Sequence, residues 1–266
     1  MHTKLISVDL YSSFGFLKKP DINDEICLTY NCLHKPALLG ILGSIIGLGG
    51  FYQAYSIDKN SLPEYYLKLN NVKVGIQPLN ANNGNFQKTV IIYNNSVGYA
   101  NKESGGNLII KEQTLIKPGF RVYLLLDMKK DEENKLYSYL LKGETEFIPY
   151  LGKNDFQLDW KNFKEYDLKV DSPVNNYQIL TMFIKKAGTT IRDNINGINE
   201  VIFDFTEPIS SDFSIYFERL PVGYDERIKN YKMGNFVFSS RKLNKEYQLD
   251  SIYCLDQDKI QYAQLF

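Results

Sequence analysis

The stretch TYNCLHKPALLGILGSIIGLGGF, residues 29–51, constrains this chain more than any other. From Ala37 to Phe51 no residue is charged and Ser44 alone is polar. About fifteen apolar residues fall short of the ~20 that cross a bilayer, so the run reads as a buried core helix, with no membrane contact. Pro36 suits its first turn, where a missing N–H costs nothing, and Gly49-Gly50 suits its end. Inside it, Gly40, Gly43, Ser44 and Gly47 fall at i, i+3, i+4 and i+7 and form one stripe. Each interior glycine costs roughly 0.5–1 kcal/mol against alanine. The stripe is therefore expected to serve close approach, by a strand of its own sheet, another subunit or a ligand backbone. The other faces carry Leu38, Leu39, Ile41, Leu42, Ile45, Ile46 and Leu48, which makes the helix central.

Around this helix the pattern is mixed. Leu5 to Tyr11 alternates as a strand, with Ile6, Val8 and Leu10 on one face. Ser61 followed by Glu64 resembles a capped helix start, and Val72 to Ile76 a short strand. From Pro78 to Pro118 an Asn- and Gly-rich loop and two β-branched runs predict a long hairpin projecting from the body. Residues 72–121 hold Lys73, Lys88, Lys102, Lys111, Lys117 and Arg121 against Glu103 and Glu112, six bases minus two acids, or +4. Arg121–Asp127 and Leu136–Leu141 read as a strand pair. Further strands are expected at 177–184, 201–205, 213–220 and 236–238. Tyr150 and Lys153 fall in an exposed loop.

The chemistry is sparse. The 31 basic and 31 acidic residues cancel, which argues against a broadly basic nucleic-acid binder, and only the local surplus runs the other way. Cys27, Cys32 and Cys254 form no CxxC pair, so neither a disulfide framework nor a zinc site is expected. With no signal-like N-terminal run, the chain reads as cytoplasmic. His2 and His34 are the only histidines, which excludes two-histidine catalysis and His-rich metal sites. Cys32 and His34 lack a third group to orient them. Gly47-Leu48-Gly49-Gly50 follows a helix instead of opening one and lacks a Walker lysine. Met233 to Phe238 faintly echoes an RNA-recognition strand and reads better as core. No catalytic residue, metal or cofactor is assigned. The residues alone give an α+β protein with a basic hairpin.

A family resemblance goes further. The opening strand followed by TYNCLHKPALLGILGSIIGLGG resembles the start of the CRISPR-associated Cas-five family, the subunits of type I Cascade that hold the guide-RNA 5′ handle. LPEYYLKLNNVKVGIQPL, IIYNNSVGYA, NLIIKEQTLIKPGFRVYL, FIPYLGKNDF and ERLPVGYDE continue the likeness in order, and the type I-B branch fits best. The resemblance implies a ferredoxin-like, RRM-like body of the RAMP type over residues 1–145, with a hairpin thumb at 78–118 and a β-rich part at 146–266. It implies a role in antiviral defence, with crRNA, a Cascade backbone subunit and the large PAM-reading subunit as partners and target DNA met indirectly. Lys88, Lys102, Lys111, Arg121 and Lys153 are then expected at phosphates, and His34 and Lys35 near the handle backbone. Phe86, Tyr93 and Tyr150 are candidates for stacking on bases or for packing against a neighbouring subunit. The stripe Gly40, Gly43, Ser44 and Gly47 is the expected partner contact. The alternative is the type I-C role, a metal-independent endoribonuclease, for which Tyr30, His34 and Lys35 are the nearest residues of the right types.

Overall fold

The computed structural model describes residues 2–22, 25–94, 102, 108–169, 173, 175–186, 202–204, 214–225, 227, 230–256, 259 and 261–266. Elements in order are β1 (Thr3–Ser12), β2 (Phe14–Gly15), β3 (Ile26–Cys27), α1 (Lys35–Ile46), α2 (Phe51–Ile57), α3 (Glu64–Leu69), β4 (Lys73–Leu79), β5 (Lys88–Asn94), β6 (Ile109–Ile116) and β7 (Gly119–Asp127). They continue with α4 (Asp131–Lys142), β8 (Leu158–Tyr166), β9 (Gln178–Ile179), β10 (Phe183–Ile184), β11 (Ile215–Asp225), β12 (Asn230–Ser239), β13 (Ile252–Asp256) and β14 (Gln261–Gln264).

The first sheet runs β4-β7-β1-β8, antiparallel throughout. With α1 between β1 and β4, and α4 between β7 and β8, this is the βαββαβ arrangement of a ferredoxin-like fold. The mixed α+β class is therefore as expected. Alternation in β1 sends Ile6, Val8 and Leu10 into the core that holds α1 and the Leu136 and Leu140 side chains of α4. The opposite face sets Leu5 beside Tyr123 and against Tyr253, Ala263 and Leu265 of the C-terminal part.

The predicted hairpin is β5 paired with β6, inserted between the second and third strands of that sheet. Its base is fixed to the body: β6 also pairs with β2 and β3, and Leu115 is fully buried. Apart from Lys102, the loop carrying Gly98, Gly105 and Gly106 lies outside the described residues, as do the ends of the strand expected at 201–205 and the first residue of that expected at 213–220.

Several expectations change. Leu136–Leu141 is not a strand: residues 131–142 form α4, with Asp131, Glu132 and Glu133 in its first turn and Gly143 closing it at φ 74°. Acids favour the positive end of a helix and glycine its left-handed end, and here these outweigh the β-like run Tyr137-Ser138-Tyr139. The helix after Pro63 is capped by Pro63, and the Ser61 hydroxyl turns to the Leu62 carbonyl instead. The central helix stops at Gly47 (φ 84°), and α2 leaves it at an 84° bend. No described helix is long and apolar enough on its own to cross a membrane. β8, which closes the first sheet, lies beyond residue 145, so a body ending there loses its fourth strand.

The remainder is β-rich. β11 and β12 form a long hairpin with β10 at its edge, while β13, β14 and β9 make a smaller sheet. Phe236 and Val237 are buried, so the strand that echoes an RNA-recognition motif is core.

Candidate functional site

Two neighbouring surfaces meet at the loop 150–153. The first is the base of the hairpin. Across β5 and β6, Tyr93 lies opposite Ile110 and Ile91 opposite Glu112, which makes Tyr93 and Glu112 diagonal neighbours on one face. The Tyr93 hydroxyl donates to Glu112 Oε1 at 2.8 Å. Lys153 Nζ reaches Glu112 Oε2 at 2.6 Å and the Tyr93 oxygen at 3.3 Å, and sits 4.4 Å from the centre of the Tyr93 ring. Burial lowers the lysine's proton affinity, but the carboxylate and the phenol outweigh it and hold the Lys153 pKa above its ordinary value. Tyr93 is raised too, by burial first and then by Glu112.

The other expected cations are also engaged. Lys88 Nζ donates to the side-chain oxygens of Asn31 and Asn85, each at 2.8 Å, and burial lowers its pKa. Lys111 stands 3.6 Å from Glu25. Arg121 makes a two-pronged pair with Asp9, at 2.6 and 2.8 Å, and Asn162 adds a third bond to that carboxylate. The pair raises the arginine, and its hydrogen bonds pull Asp9 below the usual carboxylate range although burial alone would raise it. Lys102 is exposed.

The second surface is a groove of about 630 Å³ along the exposed side of α1. Gly40 and Ser44 form part of its floor, with Tyr52, Tyr65, Tyr150 and Tyr231 among its walls. None of its described lining residues is charged. Phe51, Phe147 and Ile148 stand more than half exposed at its rim. Tyr224 stacks on Tyr231 at 5.0 Å, and burial pushes Tyr65 up to about 12, so its hydroxyl is a neutral donor. Gly152 joins the groove to Lys153; its φ is 87°, and a Cβ there would collide with the Phe16 carbonyl.

Some expected residues are elsewhere. Phe86 is core, edge-on to Phe120 at 5.1 Å, and has no face left for a base. His34 is buried as the N-cap of α1, its Nδ1 accepting from the Ala37 N–H at 3.3 Å, with Tyr30 and Tyr231 edge-on to its ring. Burial pulls its pKa down to about 3, so it is a neutral cap and does not meet a phosphate. Lys35 is buried as well, donating to the Phe266 carbonyl at 3.0 Å, and burial with nearby Lys73 lowers it to about 8. The stripe is used within the chain: Gly43 faces Tyr65 of α3 so closely that a Cβ would collide with that side chain, and Gly47 faces Glu146. Gly43 thus packs on the chain's own third helix and not on a strand, while Gly40 and Ser44 line the groove.

The residues that the sequence did not single out are Glu112, Asp9 and Glu218. The Glu218 carboxylate accepts from the Asn31 and Cys32 N–H groups at 2.9 and 3.1 Å, and burial raises its pKa. Glu112 had a signal, since strand alternation places this acid on one face with Ile110 and Thr114. Among the described residues no group of His, Cys, Asp and Glu is placed to hold a metal.

No family model matches the chain, and no curated protein matches it in sequence. Solved structures with a related course of chain include one of a type III-B Cmr-beta assembly bound to cognate target RNA and AMPPnP. It shares 10% identity at a TM-score of 0.48, over 98% of this chain and 99% of the other. A CRISPR protein from Archaeoglobus fulgidus shares 14% at 0.43, over 90% of each chain. A CRISPR RNA-guided surveillance complex contributes a chain with 11% identity at 0.43, over 90% and 91%. Likenesses this remote carry no argument about activity.

Proposed function

We propose that this chain is a non-catalytic, RNA-binding subunit of a type I CRISPR Cascade complex, of the I-B branch. In this reading it holds the 5′ handle of the crRNA and caps the backbone filament beside the large PAM-reading subunit, in the cytoplasm. The observation that carries the reading is the ferredoxin-like sheet with a hairpin inserted between its second and third strands, in a segment of surplus +4 within a neutral protein. The sequence resemblance supports it. Phosphate neutralisation by lysine and arginine supplies much of the affinity for nucleic acid, and a local surplus is what a single strand needs. Exposed Tyr93 and Tyr150 offer rings for stacking. A role without catalysis is supported by His34, whose imidazole is buried, neutral and already bonded.

Lys102→Glu with Lys111→Glu tests this. The pair swings the segment from +4 to zero and leaves the bonded Lys88 in place. Affinity for the chain's own repeat RNA should fall sharply while the melting temperature stays near the parent's, since surface changes cost within about 0.5 kcal/mol each. Unchanged affinity for RNA and unchanged assembly with Cascade subunits would sink the proposal. Site-specific cleavage of repeat RNA in chelator, lost in His34→Ala, would establish the nuclease instead.

A further inference from the structure

The cations at the hairpin do not present the same charge to a ligand. Lys88 Nζ is held by neutral oxygens, two side-chain amides and the Phe86 carbonyl. Lys153 is 2.6 Å from a carboxylate, and a counter-ion that close cancels most of its field a few ångströms away. The order of burial matters. The Glu112 side chain is 8% exposed, Lys153 25%, and Tyr93 39% as a residue. The acid is therefore fixed behind, and an aromatic ring with an ammonium over it is shown to solvent.

We infer that Glu112 is a positioning and specificity-determining residue, which makes the Tyr93–Lys153 pair a subsite for an uncharged nucleobase instead of a phosphate. This rests on the RNA-binding reading above. Glu112 does two things at once. Its Oε1 sets the Tyr93 ring through the hydroxyl, and its Oε2 sets the Lys153 ammonium across that ring. A phosphate drawn to Lys153 meets the carboxylate immediately behind it, and like charges at that range repel. A base meets no such opposition: its π-face suits the exposed part of the tyrosine, and its edge oxygens and ring nitrogens suit the ammonium donors. The loop bearing Lys153 is locked by the Phe156 N–H donating to the Lys153 carbonyl at 2.9 Å, and Gly152 permits its turn. The pair is thus held before any ligand arrives.

The test uses the full chain with two probes, a fluorescent single-stranded oligoribonucleotide of its repeat and inorganic polyphosphate of matched charge. Glu112→Gln keeps the shape and one acceptor but frees the lysine's charge. The log–log salt slope for RNA should steepen by ~0.7, one added single-strand phosphate contact. The preference for RNA over polyphosphate should narrow several-fold. Lys153→Gln, which keeps the protein testable if Glu112→Gln folds poorly, should leave the RNA salt slope at the parent value, whereas Lys88→Gln flattens it by ~0.7. Tyr93→Leu should weaken RNA binding roughly tenfold and polyphosphate binding little. A parent-like slope and preference in folded Glu112→Gln, or a flattened slope in Lys153→Gln, would overturn the inference while leaving RNA binding intact. A parent chain that binds no RNA at all brings down the underlying reading and this inference together.

Discussion

The glycine face of α1 and the base of the hairpin were both marked in the sequence as contact surfaces, and both are occupied from within the chain, but by different physics. On α1 the occupant is the backbone-proximal part of Tyr65, packed where no Cβ fits. At the hairpin the occupants are ion pairs that reach the surface: Lys111 with exposed Glu25, and part-exposed Lys153 over buried Glu112. Close packing cannot be exchanged for a ligand without moving a helix. An exposed ion pair such as Lys111–Glu25 contributes ~0–1 kcal/mol and can be traded for a phosphate. The difference teaches that a glycine stripe and a lysine cluster are unequal as evidence of binding, because only the second stays available once the chain has folded.

The largest effect that breaks this contrast is at Gly43. Gly43→Leu forces α3 away from α1, and overpacking of this kind costs ~1–3 kcal/mol, here at or above the upper end because the obstacle is Tyr65 Cβ next to backbone. The melting temperature should fall by several degrees whether or not RNA or another subunit is present. A variant that melts like the parent yet fails to assemble would restore the stripe to partner contact.

Next in size is the pH response of the cap. His34 is held near 3 in the folded chain against an ordinary 6.5, by burial. Below about 6.5 the unfolded chain takes a proton that the folded chain refuses. This group therefore lowers stability as pH falls from 6.5 towards 3, by about 1.4 kcal/mol per unit, and is without effect above that window. Glu218, raised by burial, acts in the opposite sense near the acid end, so the difference between parent and His34→Asn is the quantity to measure. Asparagine also caps a helix, so denaturant melts at pH 6.5 and 4.5 should show a smaller loss in His34→Asn than in the parent. Equal losses would mean that His34 is solvated and open to a ligand after all.

How far these features were legible follows from their range along the chain. β1 and α1 are periodic over seven or more residues, and the hairpin is marked by its turn residues and β-branched runs; the ferredoxin-like arrangement came only with the resemblance, and β8, which closes the sheet, was not expected. The helix α4 carried its signals, three acids in front and Leu136 and Leu140 four apart, but its tyrosines imitate a strand. Strands of two residues such as β9, which pairs in parallel with β14 over eighty residues away, leave no local period to read. The site splits the same way. Tyr93 and Lys153 could be named one by one, whereas their joining through Glu112, 41 residues from Lys153, exists only in the fold. Burial was the blind spot: Phe86 sits in polar sequence surroundings, His34 and Lys35 are themselves polar side chains at the start of the central helix, and all three are nevertheless interior.

The smallest stability effect, and the sharpest separation of the two surfaces, is at Tyr150. The ring is 42% exposed on the wall of a groove with no charged lining, so Tyr150→Ala should change the melting temperature little. Its effect on RNA should differ in kind from that of the hairpin lysines. A stacking contact is worth ~1–3 kcal/mol per base and involves no displaced counter-ion. Losing it should weaken RNA binding equally at 50 and 200 mM salt. Replacing Lys111 should weaken binding mainly at low salt, because the released counter-ions set that slope. Parallel titrations of the two variants against one oligonucleotide then assign each surface. A parallel downward shift for Tyr150→Ala beside a changed slope for Lys111→Glu keeps the groove as an uncharged base-binding wall and Lys111 of the hairpin as a phosphate contact. No change at all for Tyr150→Ala removes the groove from the RNA path and leaves it to an apolar protein segment, which its glycine floor and exposed Phe147 and Ile148 rim suit equally well.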